Sequence, residues 1–246
     1  LDPLDQDPGA IERGIMIHDI LETYLKDLKH KRVKPGVDAL IKIGQDAFQT
    51  FDDRPSVKGF WWPRFLRIAD WFIEQQRQRT QSRYKVLAVE TRAEWTLDLG
   101  TTQFTVIAKA DRIDETPEGG LEIIDYKTGG IPTDKRIEAG YAPQLPLEGI
   151  MAPEGAFAEI GAQKVETLSF WKLSGSEKTA DIKEIKDAKK RIEEAKEGLI
   201  RHIQAFAKPD TAFLPSPLPD HAGYGDYDHL ARIKEWRGPL SGEDSE

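Results

Sequence analysis

The 246-residue chain contains no cysteine. Disulfides, a thiolate nucleophile and any cysteine-held zinc or iron–sulfur centre are therefore excluded, which leaves His, Asp and Glu as side-chain metal ligands. Long apolar runs are also missing. Nothing approaches the roughly 20 residues that a membrane span needs, and the N-terminus has no signal-peptide pattern; no membrane partner and a cytoplasmic location are the corresponding expectations. Nor is there an excess of basic residues. Thirty-five Lys and Arg against 43 Asp and Glu leave a formal net charge of −8, which argues against a protein that coats nucleic acid non-specifically through many phosphate contacts. A local basic channel feeding an acidic metal site is compatible with that balance. Walker A, dinucleotide-binding glycine and internal-repeat patterns are absent.

What remains is a globular composition, 39% hydrophobic and 32% charged over 27.8 kDa, enough for one large domain or two small ones with a substantial core. The first residues, Leu1-Asp-Pro-Leu-Asp, carry no initiator Met, so the chain is expected to be a piece of something longer.

The most informative stretch is a pair of strand-like runs. From Gln103 to Ile113 apolar residues fall mostly at every second place, and Leu121 to Thr128 is short, largely apolar and closed by Gly129-Gly130. The two read as a hairpin around Thr116-Pro-Glu-Gly-Gly. A turn centred near Glu118 sets Asp111 opposite Asp125 and Lys109 opposite Lys127. Opposed residues share a face, so two carboxylates meet there, an unfavourable pairing unless a cation lies between them. Strand period puts Lys127 beside Asp125 and turns Tyr126 the other way. Two acids, a divalent cation and an ammonium suit phosphodiester hydrolysis. The plain alternative is a surface hairpin with cross-strand salt bridges, and a slip of one residue would separate the acids.

Around this hairpin the first helix reads from about Gly9 to Lys29, with Gly14, His18, Leu21, Leu25 and Leu28 on one stripe. His18 is either a satisfied core histidine or a further ligand beside Asp111 and Asp125, with Glu22 orienting its ring. Val37 to Phe51 and Phe60 to Arg83 read as two more helices, the second carrying Trp61, Trp62, Phe65, Ile68, Trp71 and Phe72. Those aromatics are taken as core rather than a base-stacking platform, and the polar end from Gln75 to Arg83 as solvated. Tyr84 to Leu97 is a strand leading into the hairpin, where Glu90, with Glu94 as competitor, is a possible further acid. A loop with Asp134, Lys135 and Arg136 follows, then a short helix entered through Pro143 in which Gln144 orients DNA or a metal-bound water, or is only a helix-end glutamine. Val165 to Leu173 is a strand, and Asp181 to Phe206 reads as one long amphipathic helix. The tail from Lys208 is rich in Pro, Gly and Asp, with a helical piece near Tyr227 to Trp236.

Taken together, Gly14-x3-His18-x2-Leu21-Glu22, Asp111-Arg-Ile-Asp, Asp125-Tyr-Lys-Thr-Gly and Gln144-Leu-Pro-Leu resemble the RecB-type branch of the PD-(D/E)XK nucleases. The tail, with Tyr224-Gly-Asp-Tyr-Asp-His-Leu-Ala-Arg-Ile-Lys-Glu-Trp, further resembles the C-terminus of AddB subunits of bacterial AddAB helicase–nucleases.

The resemblance implies an α/β fold, a central mixed sheet flanked by helices as in restriction endonucleases. It implies a nuclease domain over residues 1–207 and a packed tail over 208–246. His18, Asp111, Asp125 and the Tyr126 carbonyl would hold Mg²⁺ or Mn²⁺. Lys127 would be the catalytic lysine, Glu90 and Glu22 would support, and Gln144, Tyr141, Lys109 and Arg112 are candidate DNA contacts. The implied activity is exonuclease-type cutting of DNA ends or single strands in double-strand-break processing, with an AddA-like helicase–nuclease subunit as partner.

Two features depart from that pattern. Many AddB proteins bind an iron–sulfur cluster through four cysteines, of which this chain has none, so its tail must be fastened by packing, through Tyr224, Tyr227 and Trp236, or left loose. Glu148 stands where the family often has Tyr. The alternative functions are a nuclease-like DNA-holding or subunit-docking module without chemistry, and a structural metal protein.

Overall fold

The computed structural model describes residues 8–100, 102–176, 180–213 and Leu230. The tail helix near Tyr227 to Trp236 and the proposed anchors Tyr224, Tyr227 and Trp236 therefore fall outside the described residues, Leu230 apart.

Three helices come first: α1 (Ala10–Lys29), α2 (Val37–Phe48), extended by a 3-10 turn at Gln49–Phe51, and α3 (Pro55–Gln81). Helix α1 starts where the Glu12 carboxylate accepts the Gly9 N–H at 2.7 Å, satisfying a donor that the helix itself cannot. Its buried residues Ile17, Ile20, Leu21, Tyr24 and Leu25 recur at three- and four-residue spacing and make one face. Helix α3 begins at Pro55, earlier than the apolar pattern suggests, because proline at a helix start gives up only a donor that would be unpaired anyway. Trp61, Phe65, Ile68 and Phe72 are buried as expected, Trp62 and Trp71 partly so, whereas Phe60 is exposed.

Five strands follow in sheet order: β1 (Lys85–Asp98), β2 (Gln103–Glu115), β3 (Leu121–Lys127), β4 (Val165–Lys172) and β5 (Asp181–Glu184). All neighbours are antiparallel except β3 and β4, which run parallel. The crossover from β3 to β4 contains α4 (Asp134–Glu138) and α5 (Gln144–Met151), and α6 (Ala188–Phe206) comes last. This is the mixed sheet between helices that the family resemblance implies.

Strand period sorts β3 between two cores. Ile124 and Tyr126 pack with Leu21, Phe65, Phe72 and Trp171 under the first three helices. Leu121 and Ile123 pack with Leu145, Met151, Leu168 and Phe170 on the opposite side. With both faces covered, β3 is buried from Leu121 to Tyr126, which is why it reads as a continuous apolar run rather than an alternating one.

Three expectations are corrected. The stretch from Asp181 is not one helix: Asp181–Glu184 is an edge strand, and α6 begins only after Asp187, whose left-handed φ of 53° breaks any continuous helix. Asp134 to Arg136 lies in α4, capped by the Thr133 hydroxyl, rather than in a loop. Finally, the polar end of α3 is not simply solvated. Arg79 turns inward, its guanidinium 2.8 Å from Asp114 and 2.7 Å from Glu122, while buried Arg112 also pairs with Asp114. The Ser169 hydroxyl donates to Glu122 at 2.6 Å. Two arginines balance two acids, so these charges are tolerated inside; losing one partner would strand the rest, at about 3–5 kcal/mol.

Candidate metal centre

The centre lies where β2 and β3 part. Their ladder runs from Glu115 with Leu121 to Arg112 with Ile124, and the same register carried on sets Asp111 against Asp125. At that point a side chain takes over from the backbone: Asp111 Oδ2 accepts the Tyr126 N–H at 2.7 Å. Strand β3 continues beside β4 as far as Lys127 with Lys172, so its end is held on one side and open on the other.

Strand β1 supplies another acid. Val89 pairs with Arg112 and Thr91 with Ala110, which aligns Glu90 with Asp111. Glu90 has φ of +50°, a left-handed backbone that non-glycine residues rarely adopt, held here by ladder pairs on both sides. Its carboxylate lies 2.7 Å from Lys109 Nζ. Glu94 is exposed on the outer part of the strand.

His18 reaches in from α1. Its Nδ1 is 3.5 Å from both Glu90 Oε1 and Asp111 Oδ1, and its Nε2 is 3.1 Å from the Tyr126 carbonyl oxygen. The imidazole is thus not a core histidine; it is surrounded by acceptors. Burial works against a charged ring, but the Asp111 and Glu90 carboxylates outweigh it and push the His18 pKa up to about 10. Burial would raise Glu90 as well, and the contacts from His18 and Lys109 reverse this, leaving it lowered. One ligand atom from each of His18, Glu90 and Asp111 fits within a mutual 4.8 Å.

Asp125 stands beside this cluster, its carboxylate drawn to Lys127. The ammonium lies 2.8 Å from Oδ1 and 2.7 Å from Oδ2, but only Oδ1 is aligned as a hydrogen-bond acceptor, and buried Oδ2 has no aligned donor. Burial and then Asp111 raise the Asp125 pKa to about 6 despite Lys127. Lys127 also donates to Gln144 Oε1 at 3.3 Å, and Gln144 Nε2 to Glu148 Oε1 at 3.4 Å.

Glu148, predicted only as a departure from the family pattern, belongs to the same surroundings. It is 1% exposed, its Oε2 has no partner, and burial, then Asp125 and Asp111, raise its pKa well above the usual range. The signal for it was its place one turn after Gln144 on a helix.

Other predicted residues lie elsewhere. Glu22 does not orient His18; it pairs with Lys26 at 2.5 Å, one turn along the exposed side of α1, and the ring is flanked by Glu90 and Asp111 instead. Arg112 is 1% exposed, enclosed by Asp114 and Tyr126 and lying over Trp171, so it cannot reach DNA in this structure. Lys109 does not pair with Lys127, because the strands have separated; it is exposed and tied to Glu90. Tyr141 is half-buried just ahead of α5.

The donor set is one imidazole, several carboxylates and a backbone carbonyl. That suits a hard divalent cation, and an orphaned carboxylate oxygen and a ring crowded by acceptors are what such an ion would satisfy.

The sequence matches the PD-(D/E)XK nuclease superfamily over residues 2–224. It is 28% identical over 243 residues to an uncharacterized protein of Rickettsia bellii, covering 93% of this chain and 29% of that protein. It is 25% identical over 257 residues to an uncharacterized protein of Rickettsia conorii, covering 94% and 30%. The chain therefore spans under a third of the length of these curated relatives. The crystal structure of SSO0001 aligns at 12% identity with a TM-score of 0.31, over 85% of this chain and 84% of that one, a likeness too loose to build on. With its family match extending over most of its length and a five-stranded mixed sheet between helices, the chain belongs to the PD-(D/E)XK nuclease superfamily, whose members are generally metal-dependent hydrolases.

Proposed function

We propose that this domain is a metal-dependent deoxyribonuclease that hydrolyses phosphodiester bonds at DNA ends or in single strands. The observation that carries this reading is His18 held between Glu90 and Asp111 with its other nitrogen on the Tyr126 carbonyl, next to an Asp125–Lys127 pair at the parting of two strands. A surface hairpin with salt bridges has no use for a histidine from a separate helix at that point.

His18, Asp111, Asp125 and the Tyr126 carbonyl would hold Mg²⁺ or Mn²⁺, with Glu90 alongside. When bound, such an ion polarises a phosphate oxygen and lowers the pKa of a water molecule. The protein's own part is positioning. Lys127 is held by Asp125 and Gln144, so its ammonium stands ready to meet the negative charge that grows on the attacked phosphate. Gln144 keeps Lys127 on the side of α5 and offers an exposed amide to a strand or a water. Buried Glu148 sits behind this pair, where burial and the two aspartates favour its protonated form.

By its resemblance to AddB, the reaction would belong to the processing of double-strand ends for recombination, beside an AddA-like subunit. The short span of the chain relative to its Rickettsia relatives fits a nuclease module within a longer protein.

The test is cleavage of linear DNA labelled at the 5′ or the 3′ end, with Mg²⁺, Mn²⁺ or EDTA, beside Asp125→Ala. Loss of one label only with metal, and only in the wild type, is expected. Cutting that persists in EDTA or in a folded Asp125→Ala would overturn the reading. Lys127→Ala should lose cutting by several orders of magnitude yet keep metal binding, while Asp125→Ala loses both; equal metal affinity in Asp125→Ala would sink its assignment as a ligand.

A further inference from the structure

A row of arginines starts at the metal centre and leaves it along two helices. The first turns of α1 press on the exit of β3: a Cβ added at Gly14 would lie 3.1 Å from Thr128 Oγ1, and Arg13 donates to the Thr128 carbonyl at 3.3 Å. Thr128 follows Lys127 directly. Arg64, on α3, is near enough that it and burial together disfavour the charge on Arg13. A Cβ on Gly175 would come 2.5 Å from the Arg64 carbonyl, and the Arg67 Nε donates to Gly175 at 2.7 Å, so α3 also touches the loop that follows β4. Beyond them Phe60 is 58% exposed, with the Arg64 guanidinium 3.5 Å over its ring.

Among the described residues no carboxylate forms an ion pair with Arg13, Arg64 or Arg67, whereas Lys26, Arg32, Arg77, Arg79, Lys109 and Arg191 all have acidic partners. Among the described residues Arg83, Arg92 and Arg201 also form no ion pair; what sets this row apart is that Arg13 and Arg64 lie close enough to act on each other beside Thr128. Like charges gathered in this way repel one another until an anion sits among them.

We propose that Arg13, Arg64 and Arg67 with Phe60 form the seat of a single nucleic-acid strand whose phosphates lead to Lys127. This rests on the nuclease reading above and names the path its substrate takes. Guanidiniums bind phosphates in a forked geometry, and an exposed aromatic ring offers a stacking face that needs an unpaired base, which argues for a single strand over a duplex. An acidic peptide would engage the arginines and leave Phe60 without a use.

The test is binding of a fluorescent 20-nucleotide oligo-dT by anisotropy, in EDTA so that nothing is cut. Arg13→Gln and Arg64→Gln should each weaken binding by about threefold to tenfold, and each should reduce the slope of log affinity against log salt by about 0.7. Phe60→Ala should weaken binding to oligo-dT and leave binding to an abasic strand of equal length unchanged. Arg32→Gln, in the turn after the far end of α1 and already paired with Asp27, should bind like the wild type.

Parallel titration with oligo-U shows whether ribose is accepted as well as deoxyribose; arginine-dependent binding of either supports the seat. Variants that melt like the wild type and bind oligo-dT with unchanged affinity and salt slope would overturn it, as would a wild type that binds no strand or binds an acidic peptide as tightly. Arginine-dependent binding without metal-dependent cutting would retain the seat and remove the nuclease reading; cutting with arginine-independent binding would do the reverse.

Discussion

Asp125 is the residue on which the acid–base behaviour of the site turns. Its pKa is raised from 3.8 to about 6, by burial first and by Asp111 second, with Lys127 opposing. A carboxyl whose folded pKa is raised favours the fold while protonated. That advantage is complete below the unfolded value and lost as pH rises through about 6, so in the metal-free protein the ionised Asp125 costs about 3 kcal/mol at pH 8. Asp125→Asn should therefore melt several degrees above the wild type in EDTA at pH 8, at about 2–4 °C per kcal/mol for a chain of this size, and near it at pH 4. Mn²⁺ should reverse the order, stabilising the wild type and not the variant. Because Asp125 and His18 must both lose protons to become ligands, the metal-induced shift in the wild type should be larger at pH 8 than at pH 5; a shift of equal size at both would be inconsistent with these two groups being ligands.

Glu148 obeys the same sign, being raised by burial and by the two aspartates. Glu148→Gln should gain stability over the wild type in EDTA as pH rises from 5 to 8, measured by thermal melting. No widening of the gap with pH would mean that Glu148 is not held as an acid against its surroundings.

At the level of elements, the strain in β1 is the feature open to the most direct test. Glu90 occupies a left-handed conformation inside a strand. There glycine, usually the poorer strand residue by roughly 0.5–1 kcal/mol, should be better than alanine, because only alanine carries the left-handed penalty of about 1–2 kcal/mol. Glu90→Gly should thus melt above Glu90→Ala, with both having lost the contacts to His18 and Lys109. The opposite order would mean that β1 relaxes to an ordinary strand once the carboxylate is gone.

The same strand shows what could be read in advance. The hairpin register was legible because Thr116-Pro-Glu-Gly-Gly fixes the turn and strand alternation then places Asp111, Asp125 and Lys127. Helix α1 was legible from its stripe, whereas only the family resemblance favoured Glu90 over Glu94. The inward turn of Arg79, the enclosure of Arg112 and the pairing of Glu22 with Lys26 were not, since a charged residue looks alike in sequence whether it faces water or a buried partner. Strand β5 was missed because four residues are too few to show a period of two, and Ile182 and Ile185 fit a helical spacing equally well.

For the whole molecule, the centre is where one helix and three strands bring polar groups to a single point. Its candidate ligands come from α1 (His18), β1 (Glu90), β2 (Asp111) and β3 (Asp125 and the Tyr126 carbonyl). Helix α1 belongs to the core under the first three helices, while α5 and α6 pack on the other face of the sheet. A bound cation would therefore clamp the first helical layer to the sheet and leave the opposite layer as it was. At a metal concentration about 100 times the dissociation constant, binding to the folded state alone adds about 2.7 kcal/mol to global stability. Local opening, followed by amide hydrogen exchange, should respond unequally. Amides of α1 around His18 should exchange more slowly with Mn²⁺ than with EDTA, and those of α6 that exchange by local fraying should not change. Asp111→Asn, which keeps an oxygen to accept the Tyr126 N–H but gives up the charge, should lose most of the protection in α1. Equal slowing in both helices, or full protection of α1 in Asp111→Asn, would mean that the ion binds elsewhere.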